Sequence, residues 1–315
     1  MPCRWCLVYP HISISIDMQQ LSDSVSVVIP AYNSEQFISE TIQSVLAQSV
    51  KPAEIIVVDD GSTDETSKVV QKFGKPVKLI QTPNSGVSHA RNIGVERATS
   101  TWVAFLDSDD TWEEEFLETF LRYASENPLA VLLFSDFQTF GQDSNPQFLG
   151  KAFGRWRREY ELLSPLVCVI PSASMVRKDV STRFPEWARN NEDTIFFNAV
   201  ADEGQVVHIP ELLSNYRKHP SSAQRQPESH ERAMKNMFQH YMPNPRNRMR
   251  FGNTLVAYAK QRRASRSWND FYTCCNLLEE HWADDRRIML SVHAMRLSKL
   301  AYDFKDYLDR FRFSS

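Results

Sequence analysis

The chain has 315 residues, 42% of them hydrophobic and 24% charged, with a formal net charge of −3. These values suit a soluble globular protein built as one sizeable domain plus an appendage, or as two modest domains. No apolar run approaches the roughly 18 residues that span a bilayer, and the overall acidity without a recognised module excludes nucleic acid as a partner.

Residues 1–23 precede the first predicted strand and read as an extension. Pro10, His11 and several serines break its apolar residues, so it is not a signal peptide. Met18 lies shortly before the strand, and residues 1–17 are expected to be dispensable. Five cysteines (3, 6, 168, 274 and 275) are few, odd in number and unpatterned, which favours a reducing, cytoplasmic setting. The lone Cys3-Arg4-Trp5-Cys6 motif has no partner pair and supports neither zinc nor redox chemistry.

Val25–Pro30 reads as a buried strand, followed by a helix over Ser34–Gln48. Glu54–Val58 is a second strand, and a helix follows over Asp64–Phe73. A strand at Val77–Gln81, a loop and helix across Pro83–Ala98, and a strand at Trp102–Leu106 come next. Alternating strands and helices, with β-branched, unalternating strands and short loops, predict a mostly parallel α/β sheet covered on both faces. Ligands bind beyond the carboxyl ends of such strands. Three polar clusters lie there: Pro30-Ala31-Tyr32-Asn33, Asp59-Asp60-Gly61-Ser62 and Asp107-Ser108-Asp109-Asp110.

The third cluster is the most telling. Read as the end of a strand, it places Asp107 and Asp109 on one side, because residues two apart share a face. Oxygen-only ligands suit a hard cation such as Mg2+ or Mn2+. The competing reading is an acidic turn capping the helix that Glu113-Glu114-Glu115 opens. Beyond Leu129 the pattern weakens to strands at Leu129–Phe140 and Val167–Val176 and a helix over Asn191–Asp202. Residues 225–315 read as helical, with apolar spacing at Phe251–Tyr258, Phe271–Leu278 and Ile288–Leu300.

In order along the chain, Val25–Asn33, Ile55–Asp64, Gly86–Asn92, Phe105–Asp110 and Asn191-Glu192-Asp193 resemble successive motifs of the family 2 glycosyltransferases. The resemblance covers roughly Ser24–Asp202 and continues weakly to Tyr216–His219. It implies the GT-A fold over residues 24–224, with 225–315 a separate helical region. It also implies an inverting transfer from a nucleotide-diphosphate sugar to a hydroxyl on a saccharide or lipid-linked acceptor.

Carried over by position, the resemblance puts Pro30 at the pocket rim and the flat ring of Tyr32 against a nucleobase. Asp60 would accept the imide N–H of the base, as only an ionised carboxylate can, with Asp59 holding the loop or touching ribose. Arg91 would contact the nucleotide through its guanidinium fork. Asp107 would serve ribose or metal-bound water, Asp109 the divalent cation itself, and Asp110 either caps the turn or joins them. Asp193 would take the proton from the acceptor hydroxyl, with Glu192 as runner-up and acceptor-positioning group. His219 fits either a metal ligand or a loop histidine. Trp187 fits either an acceptor-sugar platform or buried packing, and Trp156 with its flanking arginines either an acceptor-side loop or charged surface.

Residues 225–315 hold 17 Lys and Arg against 10 Asp and Glu, a balance of +7, which leaves −10 for the rest. Arg246, Arg248, Arg250, Arg262, Arg263 and Arg266 make this region suited either to the anionic inner face of a membrane or to a solvated helical surface. A different class of function, an inactive nucleotide-sugar-binding regulator, would keep the pocket and lose the chemistry; the intact acidic pair argues against it. A dinucleotide oxidoreductase is excluded because Pro-Ala-Tyr-Asn, not a glycine-rich turn, follows the first strand.

Overall fold

The computed structural model describes residues 23–141, 145–147, 169–188 and 191–219, with 252, 255–256, 259–260, 263, 268–297 and 299 of the C-terminal region. The extension before residue 23, the Trp156 segment, Cys168, the boundary near 224 and the arginines at 246, 248, 250, 262 and 266 lie outside the described residues.

Nine strands form one sheet: β1 (Val25–Ala31), β2 (Glu54–Asp59), β3 (Val77–Gln81), β4 (Trp102–Phe105), β5 (Thr111–Trp112), β6 (Ala130–Gly141), β7 (Asn145–Gln147), β8 (Ser174–Arg177) and β9 (Gln205–Lys218). The helices that concern the site are α1 (Ile38–Leu46), α2 (Thr66–Gln71), α3 (Val87–Arg97), α4 (Phe116–Glu126) and α5 (Glu192–Ala201), with α6 (Trp268–His281) in the C-terminal region. Strand order is β3-β2-β1-β4-β8-β6-β9-β5, with β7 paired to β6. The first four are parallel, and β8 runs antiparallel between β4 and β6.

Alternate residues of the central strands feed two cores. Val25, Val27, Ile29 and Ala31 of β1 join Ile55 and Val57 of β2 beneath α1 and α4, whereas Val28, Ile56 and Val58 face α3 and α5. Such two-sided burial is why these strands carry unbroken apolar runs. Helix α1 buries Ile38, Thr41, Ile42 and Val45, one stripe at helical spacing.

Chain order reverses at β1, which leads to β2 on one side and pairs with β4 on the other, so the crevice above β1 and β4 is the switch point of the sheet. Pro30 fits here. The last β1–β4 pair is Val28 with Phe105, so the N–H that proline lacks falls where β4 has already ended.

Close packing of α3 on β1 depends on Gly94. A methyl group there would sit 2.2 Å from Cγ1 of Val28. Gly94→Ala is expected to cost about 1–3 kcal/mol in urea unfolding. An unchanged midpoint would mean that α3 has room to move off the sheet.

Two sequence expectations change. The strand expected at Val167–Val176 begins only at Ser174, because a 3-10 turn at Pro171–Ala173 precedes it. The 14-residue β9 had no counterpart in the sequence reading. It pairs in parallel with β6 but jumps in register from Ser135–Ile209 to Asp136–Leu212, with exposed Pro210 in the bulge, which erases any alternation of apolar residues.

Candidate active site

Strand β4 ends at Phe105, so Asp107 and Asp109 do not share a strand face as the sequence reading supposed. They occupy a turn closed by the Asp110 N–H donating to the Asp107 carbonyl at 3.1 Å. The turn sends its three carboxylates to three different partners.

Asp110 points inward and is fully buried. Its Oδ1 accepts the Arg217 N–H at 2.8 Å and its Oδ2 the Ser172 hydroxyl at 2.6 Å, making it the anchor of the turn. Burial and the charges of Asp109 and Asp107 push its carboxyl well above the usual carboxylate range. Asp109 Oδ2 meets His219 Nε2 at 2.9 Å, which joins two residues 110 positions apart. Burial and then the neighbouring Asp107 raise the Asp109 carboxyl, while His219 opposes that rise. Asp107 Oδ1 accepts Arg91 Nη2 at 2.7 Å.

Arg91 is the hinge of the arrangement. Its other fork, Nη1, donates to Glu192 Oε1 at 3.0 Å, so one guanidinium links the acidic turn to the acidic pair at the start of α5. It lies five residues into α3, is almost wholly buried, and stacks over Phe184 with its central carbon 5.2 Å from the ring centre. Burial opposes its charge, but Asp107 and Glu192 outweigh that and hold it protonated more firmly than an ordinary arginine.

Beside Glu192, Asp193 shows a little surface but is otherwise enclosed by protein. Its Oδ1 accepts the Thr194 N–H at 2.6 Å. That enclosure, followed by the charge of Glu192, pushes its carboxyl up to about 7, with Thr194 and Arg91 pulling the other way. A group poised there can exchange a proton near neutral pH.

Side chains to which the sequence assigned no role hold this arrangement. The Ser172 hydroxyl accepts the Asp107 N–H at 3.0 Å, and Thr41 of α1 donates to the carbonyls of Asp110 and Ser108 at 2.8 and 3.0 Å. Arg217 donates from Nε to the Asp109 carbonyl at 2.7 Å and from Nη2 to Glu40 at 2.7 Å, sandwiched between the rings of Phe37 and Phe140. The sequence reading quoted Arg217 within Tyr216–His219 but singled out only the histidine. Ser172 carries no signal in the sequence, because only the 3-10 turn brings it under the acidic turn.

On the other side of β1, Tyr32 stands half exposed just beyond the strand. Asp59 is buried and holds its own loop: Oδ1 accepts the Ser62 N–H at 2.9 Å and Oδ2 the Ser67 hydroxyl. Asp60 accepts the N–H groups of Ser85 at 2.8 Å and Gly86 at 2.7 Å, which ties the loop before α3 to the end of β2. Gly61 between β2 and α2 has φ of 74°, and a Cβ there would meet the Asn84 nitrogen at 2.7 Å. Pro30 is buried in β1 below Tyr32. Trp187 is 54% exposed, which rules out buried packing; its neighbour Glu186 bonds Asn92 at 3.1 Å and His89 at 3.2 Å on α3.

Among the described residues, no group of three or more His, Cys, Asp and Glu side chains is arranged to hold a metal ion. Two carboxylates suffice for Mg2+ or Mn2+ when diphosphate oxygens and water complete the shell. Asp107 and Asp109 fit that need, and the repulsion that raises Asp109 is what a cation between them would relieve.

The model of glycosyl transferase family 2 matches residues 26–183, from β1 past the acidic turn to the edge of the Trp187 segment. A glycosyltransferase of Rickettsia felis is 30% identical over 209 residues, covering 63% of this chain and 34% of that protein. TuaG of Bacillus subtilis, named for teichuronic acid biosynthesis, is 41% identical over 126 residues, 39% of this chain and 50% of its own. The chain thus spans about a third to a half of the length of these curated relatives. Among solved structures, S. aureus TarS 1–349 in complex with UDP-GlcNAc superposes with a TM-score of 0.62 at 20% identity, covering 87% of each chain. That likeness shows the GT-A fold. With half of its residues matched by the family model in the region that builds the crevice, the chain belongs to glycosyl transferase family 2.

Proposed function

We propose that the chain is an inverting sugar transferase that uses a nucleotide-diphosphate donor, a divalent cation and a hydroxyl acceptor. The observation that carries this reading is the Arg91 bridge, which draws Asp107 of the acidic turn and Glu192 of the acidic pair to one guanidinium. Donor-side and acceptor-side carboxylates, 85 positions apart in sequence, then border one crevice.

Tyr32 offers its exposed face to the nucleobase, above the rim made by Pro30. Asp60 keeps the base-side loop in place through the Ser85 and Gly86 N–H groups and retains lone pairs for the base edge. Asp59 holds the turn rather than the ribose. Asp107 and Asp109 would hold the Mg2+ or Mn2+ ion, with His219 steadying Asp109. Such an ion neutralises charge developing on the departing diphosphate.

Asp193 is the base. In the oxocarbenium-like transition state the acceptor oxygen attacks from the face opposite the leaving diphosphate and gives its proton to a carboxylate. Glu192, held by Arg91, positions the acceptor, and exposed Trp187 gives the sugar an apolar face.

The complex of TarS with UDP-GlcNAc supports a uracil nucleotide as the donor class, and the name of TuaG supports assembly of a surface polysaccharide or related glycoconjugate. The experiment is turnover of a panel of UDP-sugars by the purified chain with and without Mn2+, read as UDP release. Release that needs the cation is expected, and Tyr32→Ala should weaken UDP binding about tenfold, since one base–aromatic stack is worth about 1–3 kcal/mol. UDP affinity unaffected by Tyr32→Ala, or turnover indifferent to the cation, would contradict this assignment.

A further inference from the structure

The helix at residues 286–297 has two apolar faces, and among the described residues only one packs into a hydrophobic cluster. Ile288, Val292 and Met295 are buried in the cluster with Leu255, Phe271, Cys274 and Leu278. At about 100° per residue, the opposite side carries Arg286, Leu290, His293 and Leu297. Leu290 is 71% and Leu297 66% exposed, and they lie at the centre of that outward face.

Charge decides what such a face meets. Residues 286–297 contain Arg286, Arg287 and Arg296 and no carboxylate. Arg296 turns inward to Glu279 at 2.7 Å, whereas Arg286 and Arg287 are exposed beside the leucines. A hollow of about 440 Å³ runs along Leu290 and Ala294, and Lys260 and Arg263 line its other side. Exposed leucines flanked by cations, on a helix without acidic residues, match an interface that is apolar inside and anionic at its surface. A second copy of the same face is the competing occupant, and the test below separates it from a membrane.

We propose that helix 286–297 docks on an anionic membrane surface, laying Leu290 and Leu297 into the headgroup boundary while Arg286, Arg287, Lys260 and Arg263 meet lipid phosphates. No described helix is long and apolar enough to cross a membrane. Docking here is independent of the reaction proposed for the crevice.

The test is sedimentation of the full chain with phosphatidylcholine vesicles and with vesicles containing phosphatidylglycerol, at low and high salt. Binding to the anionic vesicles alone, weakened by salt, is the expected result. Leu290→Ser with Leu297→Ser should cut partitioning by about tenfold or more, and Arg286→Glu with Arg287→Glu should shrink the salt-sensitive part. All four positions are exposed, so circular dichroism and melting should match the unaltered chain. Equal binding to neutral vesicles, no binding, or leucine variants that bind normally would each overturn the proposal. So would a dimer in gel filtration that is lost with the leucines while the chain stays off vesicles, which would assign the face to a second copy.

Discussion

Asp193→Asn is expected to lower sugar transfer by about 100- to 10,000-fold while leaving nucleotide-sugar affinity unchanged. The amide keeps the shape and can still accept the Thr194 N–H that Asp193 accepts at 2.6 Å, but it cannot take a proton from the acceptor. The same substitution should make the protein more stable at high pH. With its carboxyl pushed up to about 7 from 3.8, the folded chain keeps a proton on Asp193 that the unfolded chain has already lost. Stability from this group therefore falls as pH rises from about 4 to about 7, and the full penalty applies above that. Removing it should raise stability by on the order of 4 kcal/mol at pH 8 and by almost nothing at pH 4. Transfer by the unaltered enzyme should climb as pH passes through about 7 and then level off, as Asp193 gives up its proton. Melting curves and initial rates across that pH range check both halves. A variant that turns over normally would remove Asp193 from the role of base.

Arg91→Met carries the second large effect, this time on the framework. Methionine fills similar space but leaves Asp107 and Glu192, both mostly buried, without the cation they share. Breaking a buried ion pair from one side costs about 3 kcal/mol or more, a fall of about 6–12 °C in melting temperature for a domain of this size. Arg91→Lys should recover only part of this, since a single ammonium cannot fork to two carboxylates as the guanidinium does at 2.7 and 3.0 Å. If Arg91 only stabilised the fold, the lysine variant would regain donor affinity in step with melting temperature. If Arg91 also sets the spacing between acidic turn and acidic pair, stability should return further than turnover does.

Much of this was legible in the sequence because burial on both faces forces long apolar runs. Strands β1, β2 and β4 announce themselves that way, and the polar residues that end them mark the crevice. The partners of those polar residues were less legible. Asp60 looks like a free acceptor in sequence, yet its oxygens hold the Ser85 and Gly86 N–H groups. The resemblance singled out Arg91 for the nucleotide, but its bonds to Asp107 and Glu192 come only from the fold, which brings residues 101 positions apart together. Asp107 and Asp109 do face different partners, because the strand stops at Phe105, one residue before its apolar run ends, and a turn follows. His219 meets Asp109, a contact that neither of its two sequence readings named. Strand β9, which delivers His219 and Arg217, was hidden by its bulge at Pro210. Contacts made by single hydroxyls, such as Ser172 beneath the acidic turn, have no periodicity to betray them and are set only by tertiary packing.

In the proposed reaction one crevice, above the ends of β1 and β4, holds the donor diphosphate between the acidic turn and the acidic pair. Crystals of the chain grown with UDP and Mn2+, measured near the manganese absorption edge, locate the ion independently of any assumption about the reaction. An anomalous peak touching Asp109, with the uracil ring on Tyr32 and the diphosphate end directed toward Asp193, is the predicted result. Manganese and nucleotide bound together elsewhere, with Asp107 and Asp109 still engaged only by Arg91 and His219, would contradict it.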